Sequence, residues 1–368
     1  NWMFNFSDYM NEHYHQQHND TSLVFESIIQ SEWPLNILIY NGDVDMVSYC
    51  EFYRITPEAC EFKGDEWFIE RLAYKHGAIS PFSRKPWFYK YVDDSNWDYD
   101  HRIAGFEKRF IIGRNIVLDQ LTVKGAGHFV PLDRPGPGLQ MIYNFINNLN
   151  YSTSLDYSLV KPAPLLNQYQ PSPVPVSNTT IKQSTMVRDL PGLTFVPQFM
   201  QHSGYLQGAT AGNYLHFWFA ESQNYPPEDP VVFWFSGDIG CSSVASMLSE
   251  MGPFKPNPDG MTLFENIYSW NKYASIVFIE VPKGVGFSMQ DVSQNQNISF
   301  TDENTAADAA TAIKQWFQIF TDYTMNDIYI GGETYAGVLV PLIAQQIADA
   351  ISANDATLAG LKFKEFLS

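Results

Sequence analysis

Apolar and polar positions alternate along this chain in two rhythms, short unbroken apolar runs and longer stretches with three- or four-residue spacing. Leu35 to Tyr40 is an apolar run ended by Asn41-Gly42-Asp43, which predicts a buried strand feeding a loop. Gln120 to Val123 is a second run, ending in Gly125-Ala126-Gly127-His128, and after Pro131 the segment Gly138 to Leu149 has helical spacing. Further on, Leu215 to Glu221 and Val231 to Phe235 predict neighbouring strands joined by a Pro226-Pro227 turn, and Ser275 to Val281 predicts another. Ala306, Ala309, Ala310, Ile313, Phe317 and Phe320 recur at helical spacing, with Asp302 and Glu303 in the first turn of the helix they predict. Asp327 to Ile330 then reads as a strand, Gly331-Gly332 as a turn, and Tyr335 to Ile351 as a second helix. Strands alternating with helices predict an α/β fold, with a mostly parallel sheet and helices on both faces.

The pattern lapses between about Tyr151 and Thr185. There Pro162, Pro164, Pro171, Pro173 and Pro175 stand among Ser, Asn and Gln, as in an extended linker. Of the 368 residues 45% are hydrophobic and 17% charged, which excludes a disordered chain. Acidic residues outnumber basic ones 40 to 22, a formal charge of −18 that repels phosphate backbones and anionic lipid. Neither nucleic acid nor a membrane is therefore expected as a partner, and no run of 18 apolar residues spans a bilayer. The opening Asn1-Trp2-Met3-Phe4-Asn5 has neither an initiator Met nor a signal segment, so the chain reads as a piece of something longer. Sequons at Asn19, Asn150, Asn178 and Asn297 together lean towards a secretory route, whereas Cys50, Cys60 and Cys241 are too few to decide the compartment.

Candidate chemistry sits at the ends of predicted strands. Gly332-Glu333-Thr334-Tyr335-Ala336-Gly337 has the strand-turn-helix context of a nucleophile elbow, in which a hydroxyl residue stands above the sheet at a strained turn. Its hydroxyl belongs to Thr, which leaves two readings open, a nucleophile position or a plain glycine-rich turn. Asp45 and His128 lie just past the first two apolar strands, where open α/β sheets place an orienting acid and a base. Taken singly, each also reads as a turn or structural residue. His13, His15 and His18 have spacings that do not converge on a metal.

Longer motifs resolve the ambiguity. Gly332 to Gly337 with Val340-Pro341, and Trp234-Phe235-Ser236-Gly237-Asp238-Ile239-Gly240-Cys241-Ser242-Ser243, resemble the serine carboxypeptidase family, closest to its lysosomal cathepsin A branch. Met186 to Leu193, Tyr268-Ser269-Trp270-Asn271, Pro282 to Ser288, Tyr40 to Met46 and Gly125 to Pro131 extend the resemblance to nearly the whole chain apart from the linker. It implies an α/β-hydrolase fold, here with most of the cap missing, and no cofactor or metal. Segment order departs from the family, since the Asp and His segments precede what resembles a family N-terminus. Residues 1–150 accordingly read as the C-terminal part of one unit, 151–184 as the linker and 185–368 as the N-terminal part of a unit. Either a circular permutant or a cut through tandem copies follows, and the missing initiator favours the cut. A flexible linker of about 30 residues reaches roughly 30 Å, enough for the two parts to assemble into one domain.

By resemblance, Thr334 matches the Ser nucleophile, His128 the general base and Asp45 the triad acid. The backbone N–H groups of Asp238 and Tyr335 match the oxyanion hole. Ser236, Glu250 and Glu333, with the N–H of Gly237, match the cluster that grips a peptide's terminal carboxylate. Two carboxyls hold a carboxylate only when they carry protons, so such a site favours acidic pH. Three substitutions fall on these positions: Thr334 for Ser, Asp238 for Gly and Ser236 for Asn. A β-branched residue at φ > 0 strains the backbone. A carboxylate at 4 Å from the oxyanion, with an effective dielectric of 20, repels it by about 4 kcal/mol, near a thousandfold in rate. About a dozen residues, Val47 to Glu58, interrupt the loop that follows Asp45, and Cys241 resembles a disulfide cysteine whose partner position falls near Phe4.

The leading expectation is a serine-type carboxypeptidase, acting on peptide or protein C-termini at acidic pH in a lysosomal or secreted setting, and the resemblance allows a homodimer. Its rival is a catalytically impaired member that serves as a binding or protective partner.

Overall fold

The computed structural model describes residues 13–17, 21–31, 33–45, 63–90, 101–155, 181–188, 190–237 and 239–367. In chain order they form β1 (Tyr14–His15), α1 (Ser22–Gln30), β2 (Leu35–Gly42), α2 (Lys63–Lys75), β3 (Lys85–Lys90), β4 (His101–Ile112), β5 (Ile116–Val123), α3 (Val130–Asp133) and α4 (Pro135–Ile146). There follow α5 (Ile181–Ser184), β6 (Gln201–Gln207), β7 (Asn213–Ala220), β8 (Val231–Phe235), α6 (Ser243–Ser249), β9 (Phe254–Pro256), β10 (Leu263–Glu265), β11 (Ser275–Ile279) and β12 (Met289–Gln290). The last elements are β13 (Phe300–Thr301), α7 (Asp302–Ile319), β14 (Asp327–Gly332), α8 (Ala336–Ser352) and β15 (Lys362–Leu367). The chain divides into two compact units. One comprises Asn1–Val24, Val160–Ile267 and Asn271–Ser368, and the other Phe25–Leu159 with Tyr268–Trp270.

In the first unit β11, β8, β14 and β15 run parallel to one another in that spatial order, and β7 lies antiparallel to β11. β6 pairs antiparallel with β7. All five residues of β8 and all five of β11 are buried, the continuous apolar pattern of strands covered on both faces. β7 and β8, expected as neighbours, are separated by β11. Uniformly apolar strands carry no marking of which partner they take, so their adjacency in sequence misled.

α7 begins where Thr301 caps it, its hydroxyl accepting from Asn304 N at 3.2 Å, and Asp302 and Glu303 complement the N-terminal dipole. Its apolar face buries Trp316 completely, with ring centroids 5.2 Å from Phe219, 5.3 Å from Phe233 and 4.8 Å from Phe320. This aromatic cluster joins the helix to β7 and β8.

In the second unit β2 and β5 are parallel, and β5, β4 and β3 form an antiparallel meander beside them. Asp119 on β5 accepts two bonds from Arg109, each 2.6 Å, and one from the buried Tyr151 hydroxyl, also 2.6 Å. A buried carboxylate is tolerated there because every contact on it is a donor. Truncating Trp316 to Ala is expected to cost about 3–5 kcal/mol, and chemical denaturation should show that loss, whereas a cost under about 1 kcal/mol would remove the aromatic cluster as the anchor of α7.

Candidate active site

In the second unit, the loops leaving β2 and β5 lie side by side at the carboxyl edge, because the parallel register ends with Gly42 opposite Val123. Asp43 N donates to Val123 O at 3.1 Å, Val44 N to Ala126 O at 3.1 Å and Gly125 N to Asp43 Oδ1 at 2.6 Å. Gly42 has no room for a side chain, since a Cβ there would stand 2.1 Å from Ala126 O. These contacts bring Asp45 Oδ2 within 2.8 Å of His128 Nδ1. Asp45 is only 3% exposed, so its carboxylate is shielded from water and holds the imidazole orientation. With Nδ1–H donating to Asp45, Nε2 carries the lone pair, the tautomer a general base requires.

In the first unit, β14 pairs with β8 to the last residue of each, Gly332 opposite Phe235, and Glu333 N then donates to Phe235 O at 3.3 Å. The chain turns at Glu333, Thr334 and Tyr335 into α8. Thr334 has φ 57° and is exposed. A β-branched residue in the left-handed region stores strain on the order of 1–3 kcal/mol. Across the edge Gly237 has φ 65°, and a Cβ on it would lie 2.7 Å from Cys241 Cβ.

Glu250, at the end of α6, is 3% exposed and its Oε2 has no hydrogen-bond partner among the described residues. Burial pushes its carboxyl well above the usual range, and the charge of Glu333 and a hydrogen bond with it push the same way; Ser246 and Lys255 oppose them. Ser246 Oγ donates to Glu333 Oε1 at 3.0 Å. Sequence reading missed Ser246; its position one helical turn before Glu250 was the available signal. Ser236 is buried, its Oγ accepting from Trp234 Nε1 at 3.0 Å and its N donating to Ser243 Oγ at 3.1 Å.

Tyr335, the residue after Thr334, donates its hydroxyl to Asp302 Oδ1 at 2.6 Å, and Tyr14 donates to the same oxygen at 2.7 Å. Burial first, and then the hydrogen bond to Asp302, raise both phenols far above their ordinary range. Neither Tyr14 nor Asp302 was singled out as a site residue from sequence. Asp238, Cys50, Cys60, Phe4, the insert Val47 to Glu58 and the sequons Asn19 and Asn178 lie outside the described residues. Asn150 and Asn297 are exposed.

A parallel sheet whose strand-turn-helix elbow carries a hydroxyl at positive φ defines an α/β-hydrolase. Residues 1–148 and 191–364 match the serine carboxypeptidase family, and the chain belongs to that family. It is 42% identical over 161 residues to serine carboxypeptidase ctsa-4.1 of Caenorhabditis elegans, covering 44% of this chain and 33% of that protein. To the lysosomal protective protein of Mus musculus it is 42% identical over 165 residues, 45% of this chain and 34% of that one. The chain thus spans about a third of the length of these curated relatives in each match. Among solved structures, Kex1(delta)p, a prohormone-processing carboxypeptidase from Saccharomyces cerevisiae, aligns with a TM-score of 0.45 at 25% identity, covering 50% of this chain and 43% of that one.

Two expectations follow from the elbow and the carboxyl pair. Thr334→Asn, which tolerates the left-handed region better, should raise stability by about 1 kcal/mol; a destabilised variant would remove the strain account. Glu250 has its folded pKa raised above the unfolded value of 4.5, so its stabilising contribution is complete below about pH 4.5 and is lost as pH rises through the folded value. Glu250→Gln should flatten the fall in melting temperature between about pH 5 and 8. An unchanged slope would show that the buried carboxyl does not govern it.

Proposed function

We propose that this chain carries two complementary portions of a serine-type carboxypeptidase that releases C-terminal residues from peptides at acidic pH through an acyl-enzyme. Residues 1–150 supply the acid and base, Asp45 and His128, and residues 185–368 supply the elbow and the carboxylate grip, with 151–184 as linker. The observation that carries the reading is the buried carboxyl of Glu250, held well above its usual pKa by burial and by Glu333, the residue that enters the elbow. A carboxyl in that state donates a hydrogen bond to a peptide's terminal carboxylate, and it loses that ability as pH rises.

In this reading Thr334 has the role of the attacking hydroxyl, and His128, oriented by Asp45, the role of the base. The backbone N–H groups of Asp238 and Tyr335 receive the developing oxyanion. Ser236 and the N–H of Gly237 complete the grip on the terminal carboxylate with the two glutamates. Family membership and the name of the mouse relative support placing the protein in the secretory or lysosomal route. Among the described residues no helix is long and apolar enough to cross a membrane, and the exposed Asn150 and Asn297 suit glycan attachment.

A second reading is favoured by Thr334 itself, whose β-branched side chain sits at φ 57° where the family has Ser. In that reading the carboxyl pair still binds C-termini and the elbow turns over slowly or not at all. Assay of the whole protein near pH 5 on blocked dipeptides, with a fluorophosphonate probe for the nucleophile, separates the two. Turnover with labelling lost in Thr334→Ala supports the enzyme. Absence of both, with activity appearing in the double variant Thr334→Ser, Asp238→Gly, supports the binder on a competent scaffold. No turnover and no C-terminal peptide binding in either form would sink both.

A further inference from the structure

Within the first unit a shallow, open-mouthed cleft of only about 10 Å³ adjoins the elbow, lined on its apolar side by Tyr14, Phe235, Ile239, Val281, Tyr335 and Leu339. Tyr14 belongs to a segment more than two hundred residues distant in sequence from the rest of that lining. It reaches the cleft because β1 pairs parallel with β13, Tyr14 opposite Phe300 and His15 opposite Thr301. Gln17 N donates to Asp302 Oδ2 at 2.7 Å, and Glu303 N donates to Gln17 Oε1 at 3.1 Å, so the segment is tied to the first turn of α7 on both sides.

Asp302 is wholly buried, and its Oδ1 receives both the Tyr14 and the Tyr335 hydroxyls. The two rings meet edge to face with centroids 5.8 Å apart. Tyr14 is 8% exposed and packs with Val285 and Phe300, with Ile239 and Tyr335 against the same cluster. A ring held by a hydrogen bond at its tip, an aromatic contact at its edge and strand pairing at its backbone does not swing aside. Phe235, 0% exposed, closes the floor.

Tyr335 contributes its backbone N–H to the oxyanion position and its ring to the cleft, so the side chain nearest the attacked carbonyl is the one that meets this cleft. We propose that Tyr14 is a specificity-determining residue: fixed by Asp302, it closes the cleft so that it takes a small aliphatic penultimate side chain and rejects an aromatic one. The inference rests on the carboxypeptidase reading for the identity of the ligand. A second ring would need the volume Tyr14 occupies, and a close-packed wall anchored on a buried carboxyl does not yield that volume without losing its contacts.

The test measures binding rather than turnover, using the whole chain with Thr334→Ala and calorimetry near pH 5. Its ligands are the blocked dipeptides Ala-Leu and Phe-Leu, which share a C-terminal residue. Ala-Leu should bind at least about tenfold more tightly than Phe-Leu. Tyr14→Ala should lower that ratio about tenfold by admitting Phe-Leu, whereas Tyr14→Phe, which keeps the ring and loses the bond that fixes it to Asp302, should lower it by less. Should Tyr14→Ala lose its cooperative melt, Tyr14→Leu takes its place, with the ratio reduced in the same direction. An unchanged ratio in the truncated variant, with both dipeptides still bound, overturns the role of Tyr14 alone. Binding of neither dipeptide to any form overturns it together with the carboxypeptidase reading.

Discussion

Gly332 stands so close to β8 that a Cβ on it would lie 2.5 Å from Phe235 O and 2.6 Å from Ala336 Cβ. From that approach the elbow follows. Strand pairing runs to the last residue, Glu333 N is held by Phe235 O, and only three residues separate Gly332 from α8. A chain that must reverse from strand to helix in so few residues needs one in the left-handed region, and Thr334 is the residue there. The facing loop is crowded in the same way, with Gly237 at positive φ against Cys241. Backbone register, more than any side-chain contact, therefore places the reactive position, and substitutions at Thr334 or Ser236 leave the scaffold in place while altering what it presents.

Among the buried acids of the first unit, Asp302, Glu280 and Glu250 are treated differently. Asp302 is surrounded by donors, two phenols and a backbone N–H, at the N-terminus of α7. Glu280 is 0% exposed and receives Phe287 N at 2.9 Å, with His216 Nδ1 also at 2.9 Å and the Ser242 hydroxyl on its other oxygen. These two carboxyls act as rivets. Asp302 fixes β1 and Tyr335, and Glu280 ties the segment after β11 to the N-cap of α6. Glu250 has instead another acid for a neighbour and an oxygen with no partner among the described residues. Leaving one buried acid short of donors costs stability above its ordinary pKa, and the cost falls on the residue proposed to hold a ligand's carboxylate.

Much of this was readable from the amino-acid pattern. The apolar runs at Leu35, Val231 and Ser275 became β2, β8 and β11, and the spaced alanines and phenylalanines became α7, whereas Gly331-Gly332, expected as a turn, extends β14 by two residues. Pairing order was less legible, because β7, β8 and β11 are nearly all apolar and period alone does not say which lies beside which. Asp45 and His128 were legible as strand-end residues, since a parallel sheet gathers such ends at one edge. The contact of Tyr14 with Asp302 spans 288 positions, and neither residue sits in a motif or at a strand end that would announce it. Ser246 was hidden for a simpler reason, being one serine among five between Ser236 and Ser249. Long-range polar contacts of this kind depend on packing that local spacing does not encode.

Substitution has touched the positions assigned to making and stabilising the acyl intermediate, Thr334 and Asp238, whereas the carboxyl pair assigned to holding the ground state has kept both acids. Interactions shared by ground and transition states set affinity, and those made only in the transition state set rate. A protein altered in the second group, and in the first only at Ser236, keeps more of its affinity than of its rate. Against that stands the pair Asp45 and His128, whose 2.8 Å contact and nearly complete burial of the carboxylate keep the imidazole in the tautomer of a base. Burying an acid beside a histidine costs desolvation, a cost that catalysis repays through the imidazolium it stabilises and that C-terminal binding alone does not require. The second unit therefore holds an acid–imidazole pair in fixed orientation, and the first a buried carboxyl with a raised pKa beside an elbow under strain.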